Sequence, residues 1–575
     1  MRAIRVAIIL VFTGGGIISR GVCAGQGAPA QRVDPLFSQY NNSASPGLVI
    51  AVVRDGKVLL SKGYGLANLE YRVPITSSTV FDVASVSKQF TGLAVAMLVE
   101  QGKISLSDDI RKYIPELHPM GPTITINHLL HHTSGLRDWP ATLAVAGWDF
   151  GDVYLFKQIL GMAYNQKTLN FPPGSEYSYS NTEYNLLAEM IARVTGQSFR
   201  TWTDQNIFAP LRMTNTHFRD DYREVIPNRA YGYDRVSDHP YSASTDDLEA
   251  YGSSSLFTTA DDLTKWVTNF DQPTVGGPAA IQLMQTRGVL NDGSSIPYAF
   301  GIVHGVHRGL ATVSHDGGWA SFSTFVGRFP QQRFGVIVLA NCDCIDATNE
   351  AYKVADIYLE KEEVASPEPA DVPGAKKASV VVTPAVLDTY TGLYRLGQGW
   401  YVRVRRVGSE LKTQATREPE FPMTPQSQGE FWVEGYRSTM AFQRDAASGI
   451  TYLTYHGQRH PRLEESPALT PSDLEEFAGE YCSDELQTCY RVEAHDGALV
   501  MQHPRYGAMP LTRLWRDEFS GNAWFMNVEF QRDGTGKPVG FFVNAGTRSR
   551  QNHFVRRYSR APTESQGSAP AQNFN

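Results

Sequence analysis

A repeat in the last third of this 575-residue chain limits most strongly what the chain can fold into. Phe442-Gln-Arg-Asp445 returns letter for letter as Phe530-Gln-Arg-Asp533, at an offset of 88. At the same offset Pro422 matches Pro510, and Glu430-Phe431 matches Glu518-Phe519. Leu387-Asp-Thr-Tyr-Thr-Gly-Leu-Tyr394 matches Leu474-Glu-Glu-Phe-Ala-Gly-Glu-Tyr481 at 87. A steady offset with one slip indicates two homologous modules of about 85 residues. Both read as short strands: Tyr401-Val-Arg-Val404 and Tyr490-Arg-Val-Glu493 alternate, and turns such as Gly534-Thr-Gly536 follow. That pattern predicts a small all-β barrel or sandwich over 381–465 and another over 468–558. Structural appendages without chemistry are the alternative reading of both.

Ahead of the repeat, Lys361 to Lys377 is rich in proline, alanine and charge and loses apolar periodicity, so 361–380 reads as a linker. Residues 560–575 are polar and low in complexity, which predicts a disordered tail. At the other end, Arg2 and Arg5 precede the apolar run Val6–Phe12, and Val22-Cys23-Ala24 reads as a small-residue cleavage site. Residues 1–24 are thus expected to be a Sec signal peptide, too short and glycine-broken to span a bilayer, and the mature protein periplasmic or secreted. A net charge of −7 gives no electrostatic case for nucleic acid. Five cysteines do not make a disulfide scaffold. Cys482 and Cys489 stand at equal distances from a turn at Glu485 and Leu486, so a hairpin would set them opposite each other and permit a bridge. Cys342 and Cys344 are too close for an easy one. Small buried thiols are the alternative for both pairs.

Residues 32–360 are mixed. Gly47–Val53, an Asp-Gly turn and Val58–Leu60 form one expected hairpin; Ser323–Val326 and Gly335–Ala340 form a second. Helical segments such as Tyr184–Thr195 lie between them. Strands at both ends predict one antiparallel sheet whose ends meet, flanked by helices: an α+β fold.

Three short motifs carry chemistry. In Ser85-Val-Ser-Lys88, followed by apolar residues at helical spacing, an amine sits one turn from a hydroxyl at a helix start. A buried amine can lose its proton and take one from serine, and the helix N–H groups can hold an oxyanion. In Tyr179-Ser-Asn181, a tyrosine beside a lysine can be held partly ionised as a general base, and the asparagine can hold the lysine and a substrate carbonyl. In Ser314-His-Asp-Gly-Gly318, Gly317 and Gly318 allow a substrate to approach a strand edge, and Gly318 offers a second oxyanion N–H. Surface turns, a capping asparagine and a turn histidine are the bland readings. Ser87 lacks a lysine three residues on, and Tyr177 lacks the Ser-Asn that follows Tyr179. His128, His131 and His132 have helical metal spacing but no His-Glu-x-x-His pattern, so no metal and no cofactor is expected. No Gly-x-Ser-x-Gly elbow occurs.

In order and spacing the three motifs resemble the serine β-lactamase and penicillin-binding protein superfamily, and the Tyr-x-Asn form resembles its class C branch. Phe81–Lys88, His131-His-Thr-Ser-Gly-Leu136 and Gly252–Ala260 support the resemblance. The layout, with Ser134-Gly-Leu-Arg-Asp138 and Ser483-Asp-Glu-Leu486, is similar to D-aminopeptidases with two C-terminal barrels. The resemblance implies a β-lactamase/DD-peptidase-like fold followed by two lipocalin-like barrels. It implies Ser85 as nucleophile, Lys88 and Tyr179 as proton shuttles, and Asn181, His315, Gly317 and Gly318 around the substrate. In those D-aminopeptidases a loop of the last barrel reaches the active site; the matching stretch here is Gln502–Pro510. Because all three motifs precede the linker, a hydrolase ending near Ala365 is expected to hold a complete site.

The third motif of β-lactamases is Lys-Thr-Gly, and here it is His315-Asp-Gly317. A neutral imidazole gives a substrate carboxylate no fixed charge. The leading expectation is an exported acyl-enzyme hydrolase of peptides or amides. Esterase or β-lactamase activity on the same machinery, and a non-catalytic binder of peptidoglycan or another cell-wall partner, are the alternatives.

Overall fold

The computed structural model describes residues 29–362 and 380–558, apart from 43, 238, 239 and 456. The expected leader, most of the linker and the tail lie outside the described residues. No described helix is long and apolar enough to cross a membrane. The chain divides into two compact units. The first comprises the chain to Ala144, Trp148–Val372 and, unexpectedly, Thr547–Arg550. The second comprises Val145–Gly147, Pro373–Gly546 and the chain from Gln551.

The first unit is built on a six-stranded antiparallel sheet. Its strands are β1 (Leu48–Arg54), β2 (Lys57–Tyr64), β3 (Val303–His307), β4 (Leu310–Trp319), β5 (Phe322–Phe329) and β6 (Phe334–Ala340), in the order β3-β4-β5-β6-β1-β2. Asp55 and Gly56 both have positive φ, as a two-residue hairpin turn between β1 and β2 requires. The two hairpins join because β1 pairs with β6, Leu48 opposite Ala340 and Arg54 opposite Phe334. The run Leu-Val-Ile-Ala-Val-Val in β1 is buried on both faces, so both must be covered. Val49, Ala51 and Val53 face a core shared with α1 (Lys88–Glu100), α2 (Asn181–Thr195) and α3 (Ala260–Asp271). Leu48, Ile50 and Val52 face a second core with Val33, Phe37 and α4 (Ala347–Tyr358). Gly92 lets α1 lie against the backbone at Phe300, where a Cβ would stand 2.3 Å from the carbonyl oxygen.

In the second unit each repeat forms a closed eight-stranded barrel, from Gly392–Gly397 to Gln458–Leu463 and from Gly479–Ser483 to Ser549–Arg557. The repeat reappears as one hydrogen bond made twice: Tyr394 donates to the Tyr390 carbonyl and Tyr481 to the Phe477 carbonyl, each at 2.8 Å. Cys482 and Cys489 face each other across the hairpin and form a disulfide. Cys342 and Cys344 are also bonded, contrary to the expectation from their spacing. The chain turns after β6 and brings their Cα atoms to 5.1 Å, within the range a disulfide spans.

Candidate active site

Ser85 lies in a short 3₁₀ turn, Ala84–Ser87, that runs directly into α1 at Lys88. Ala84 has φ +45, a left-handed conformation unfavourable for a residue with a Cβ. Asp82 steadies it by accepting the Ala84 N–H at 2.7 Å. Ser87 is buried and its hydroxyl accepts the Leu256 N–H, which gives it a structural partner.

Lys88 is fully buried, one helical turn from Ser85. Its Nζ donates to Asn181 Oδ1 at 2.7 Å and to the Ser253 carbonyl at 2.7 Å, and lies 3.1 Å from Ser85 Oγ. The Asn181 amide is oriented by Asp138, whose Oδ1 accepts from Asn181 Nδ2 at 3.0 Å and from the Asn181 backbone N–H at 2.7 Å. A carboxylate only accepts, so the Asn181 oxygen is turned toward Lys88. Burial drives Lys88 well below the ordinary lysine value; Asp138 opposes that shift and Arg548 reinforces it. A neutral amine has two N–H donors and one lone pair. Its two donors go to the two oxygens that can only accept, and the lone pair is left for the Ser85 hydroxyl.

The Tyr179 ring lies over Lys88, 4.8 Å from Nζ to the centroid. Burial pushes its phenol well above 10, although Ser85 and Arg548 pull it down. The sequence suggested a partly ionised tyrosine; burial outweighs the pull of the neighbouring Arg548 cation and holds it protonated. Its hydroxyl is buried without a partner of hydrogen-bond geometry among the described residues. Tyr177 stands on the rim, 39% exposed. Beneath Tyr179, His132 Nδ1 meets Glu183, which also takes the Ser134 hydroxyl. The His132 and Tyr179 rings are 4.3 Å apart. His128 caps its helix through Thr125, and both ring nitrogens of His131 face backbone carbonyls.

The third motif forms the far half of β4. Register with β3 ends at Ser314, so among the described residues His315–Trp319 has a strand neighbour only on the β5 side. Gly317 packs onto the turn that carries Ser85: a Cβ there would stand 2.3 Å from the Val83 carbonyl oxygen and 3.1 Å from Ser85 N. Gly318 is exposed. His315 is only 4% exposed and does not stand open to the cleft as the sequence suggested. Its Nδ1 lies 2.6 Å from the Asp316 carbonyl and its Nε2 3.0 Å from the Tyr298 hydroxyl. A carbonyl only accepts, so Nδ1 carries the proton and Nε2 accepts from Tyr298. Burial pulls His315 down to about 4, which keeps it neutral near pH 7.

Sequence reasoning missed the groups that orient these side chains. Ser253 acts through its carbonyl, which leaves no residue signature. Asp138 was visible only as part of a motif. Arg548 was not visible at all. The Arg548 carbonyl accepts the Asp138 backbone N–H at 2.9 Å and Asn170 Nδ2 at 3.0 Å, and the Thr547 carbonyl accepts from Ser178 Oγ at 3.0 Å. The Arg548 guanidinium stands 3.5 Å from Asp138 Oδ2 and 4.9 Å from the Tyr179 ring centroid. Gln502–Pro510 belongs to the second unit, as a stretch of the last barrel, and Thr547–Arg550 groups with the first unit. A hydrolase ending near Ala365 would therefore lack part of its own unit.

Fold and site together define a serine hydrolase of the β-lactamase and penicillin-binding protein superfamily. The chain belongs to the beta-lactamase family, whose model matches residues 33–359. It is 27% identical over 446 residues to penicillin-binding protein 4* of Bacillus subtilis, covering 74% of this chain and 96% of that one. It is 26% identical over 366 residues to a D-aminopeptidase of Gluconobacter oxydans, covering 60% and 68%. The fold is shared with the octameric penicillin-binding protein homologue from Pyrococcus abyssi, with a TM-score of 0.54, 22% identity and coverage of 75% of this chain and 99% of that one.

Proposed function

We propose that the chain is an exported hydrolase that forms an acyl-enzyme at Ser85 and cleaves small peptides or amides in the manner of D-aminopeptidases or D,D-peptidases. The observation that carries this reading is the approach of the buried Lys88 Nζ to Ser85 Oγ at 3.1 Å. Lys88 takes the serine proton as Oγ attacks the substrate carbonyl carbon. The Ser85 N–H and an N–H of the adjoining Gly317-Gly318 edge hold the oxyanion. Tyr179, protonated at rest, passes a proton to the leaving amine, and the same groups assist water in releasing the acyl group. Asn181 keeps Lys88 in place. His315 acts through Tyr298 as part of the cleft wall. The expected leader supports a site of action outside the cytoplasm, and the relatedness to a penicillin-binding protein and a D-aminopeptidase supports amide substrates, peptidoglycan fragments among them.

A fluorophosphonate probe followed by intact mass and peptide mapping tests the nucleophile: one adduct on Ser85 is expected, and none in Ser85→Ala. A panel of D-amino-acid amides, nitrocefin and p-nitrophenyl esters tests the substrate class. Turnover of nitrocefin above every amide would replace the peptidase reading by that of a β-lactamase. Labelling of another residue would remove the mechanism.

A further inference from the structure

Asp138 presents a physical problem to the site. It is 1% exposed, and it binds the asparagine that binds Lys88. A buried carboxylate so close to an amine favours the ammonium form, and a Lys88 ammonium could not take the Ser85 proton. Lys88 is faced by Asp138, Glu183 and Asp316, which raise its proton affinity, and by Arg548, which lowers it; Tyr179 and Tyr184 offer ring faces, and His132 and His315 lie beyond. The third motif brings no fixed cation, because His315 is buried and neutral.

We propose that Arg548 is a positioning residue of the active site: its guanidinium offsets the buried Asp138 carboxylate and so leaves Lys88 free to accept the Ser85 proton. The inference rests on the acyl-enzyme reading above. Two independent contacts carry it, the approach to Asp138 Oδ2 at 3.5 Å and the stacking on Tyr179 at 4.9 Å. The backbone holds the residue there, since its carbonyl accepts the Asp138 N–H and neighbouring Arg550 accepts from Arg137 and donates to Asn170 and Glu176. The same charge faces the Tyr179 phenol and eases its loss of a proton. Around that phenol stand Ser85, Lys88, His132, Tyr298, His315, Asp316 and Asp138. Arg548 is thus the permanent cation against it, supplied from near the end of the chain.

The experiment is the pH dependence of Ser85 labelling by a neutral fluorophosphonate in full-length wild type, Arg548→Met and Arg548→Lys. The reactive form has Lys88 neutral, so the rate rises with pH through the Lys88 titration. Removing a nearby like charge raises that titration by about one pH unit. Arg548→Met should therefore shift the acid limb upward by about one unit, which is about tenfold slower labelling on the limb, with the high-pH plateau kept within a few fold. Arg548→Lys should return the limb close to wild type, which a loss of packing alone would not do. Should Arg548→Met fold poorly by thermal melting, Asp138→Asn supplies the opposite sign: with the carboxylate gone, the limb should move to lower pH. An unmoved limb in Arg548→Met, equal shifts in the Met and Lys variants, or an upward shift in Asp138→Asn overturns the proposal. A wild type that labels somewhere other than Ser85 overturns the acyl-enzyme reading instead.

Discussion

Gly317→Ala should leave a folded protein with a badly damaged active site. The added Cβ would stand 2.3 Å from the Val83 carbonyl oxygen, 2.5 Å from Thr324 Oγ1 and 3.1 Å from Ser85 N, where ordinary contact begins near 3.4 Å. About 1 Å of movement must be found. The threonine hydroxyl can rotate, but Val83 O accepts both Thr324 Oγ1 at 3.0 Å and the Val86 N–H at 3.1 Å, so it moves only with the turn that carries Ser85. Overpacking of this kind costs about 1–3 kcal/mol, which a fold of ordinary stability survives. Displacing a nucleophile by about 1 Å from its proton acceptor costs on the order of 10²-fold in rate. Gly318→Ala is the internal control, since its Cβ would meet nothing closer than Phe322 O at 3.9 Å. The assay is kcat/KM for p-nitrophenyl acetate together with Ser85 labelling, and melting temperature to show folding. Gly317→Ala within threefold of wild type, or equal losses in both variants, would refute the placement of β4 against the nucleophile.

Lys88→Ala and Tyr179→Phe should each lower labelling severely, and the double variant should be little worse than either, because groups that act as one proton-transfer unit are not additive; losses that multiply would separate them. In wild type, kcat/KM should rise through a single acid limb set by Lys88, whose burial places that limb well below ordinary lysine titration. It should show no alkaline limb from Tyr179 below pH 10, since burial raises that group and the phenol remains a proton donor throughout; a bell centred near neutrality would contradict the assignment. Replacing Cys482 and Cys489 by serine should cost the barrel unit about 2 kcal/mol through the short loop they close, read as a lower melting transition, and should leave Ser85 labelling unchanged.

What could be read in the sequence was local. Ser85 and Lys88 share a helical turn, Tyr179 and Asn181 lie two residues apart, and β1 with its Asp-Gly turn announces a hairpin by itself. The barrels were legible because the repeat preserves whole words, down to the tyrosines at 394 and 481 that cap the preceding helices. What escaped was written in backbone atoms or over long separations. The Ser253 carbonyl that holds Lys88 could belong to any residue. Arg548 meets Asp138 across 410 positions, and no spacing rule links them. The ionisation of Tyr179 was misjudged because adjacency to a lysine is visible in a string of letters, whereas loss of water around both groups is not. The Cys342–Cys344 bond was discounted for the same kind of reason: separation along the chain was legible, and the turn after β6 was not.

The membership of Thr547–Arg550 in the hydrolase unit sets an order of events during synthesis. The ribosome has synthesised Ser85, Lys88, Tyr179 and the whole sheet before it makes any of Pro373–Gly546, and only then does it make the four residues that receive the Asp138 N–H and the Ser178 hydroxyl. At a translation rate of roughly 5–20 residues per second, the unit waits on the order of 10–35 s for its last piece. The candidate site is therefore among the final parts of the chain to be completed. A fragment cut short anywhere in the barrels carries every motif of the family and an unfinished site.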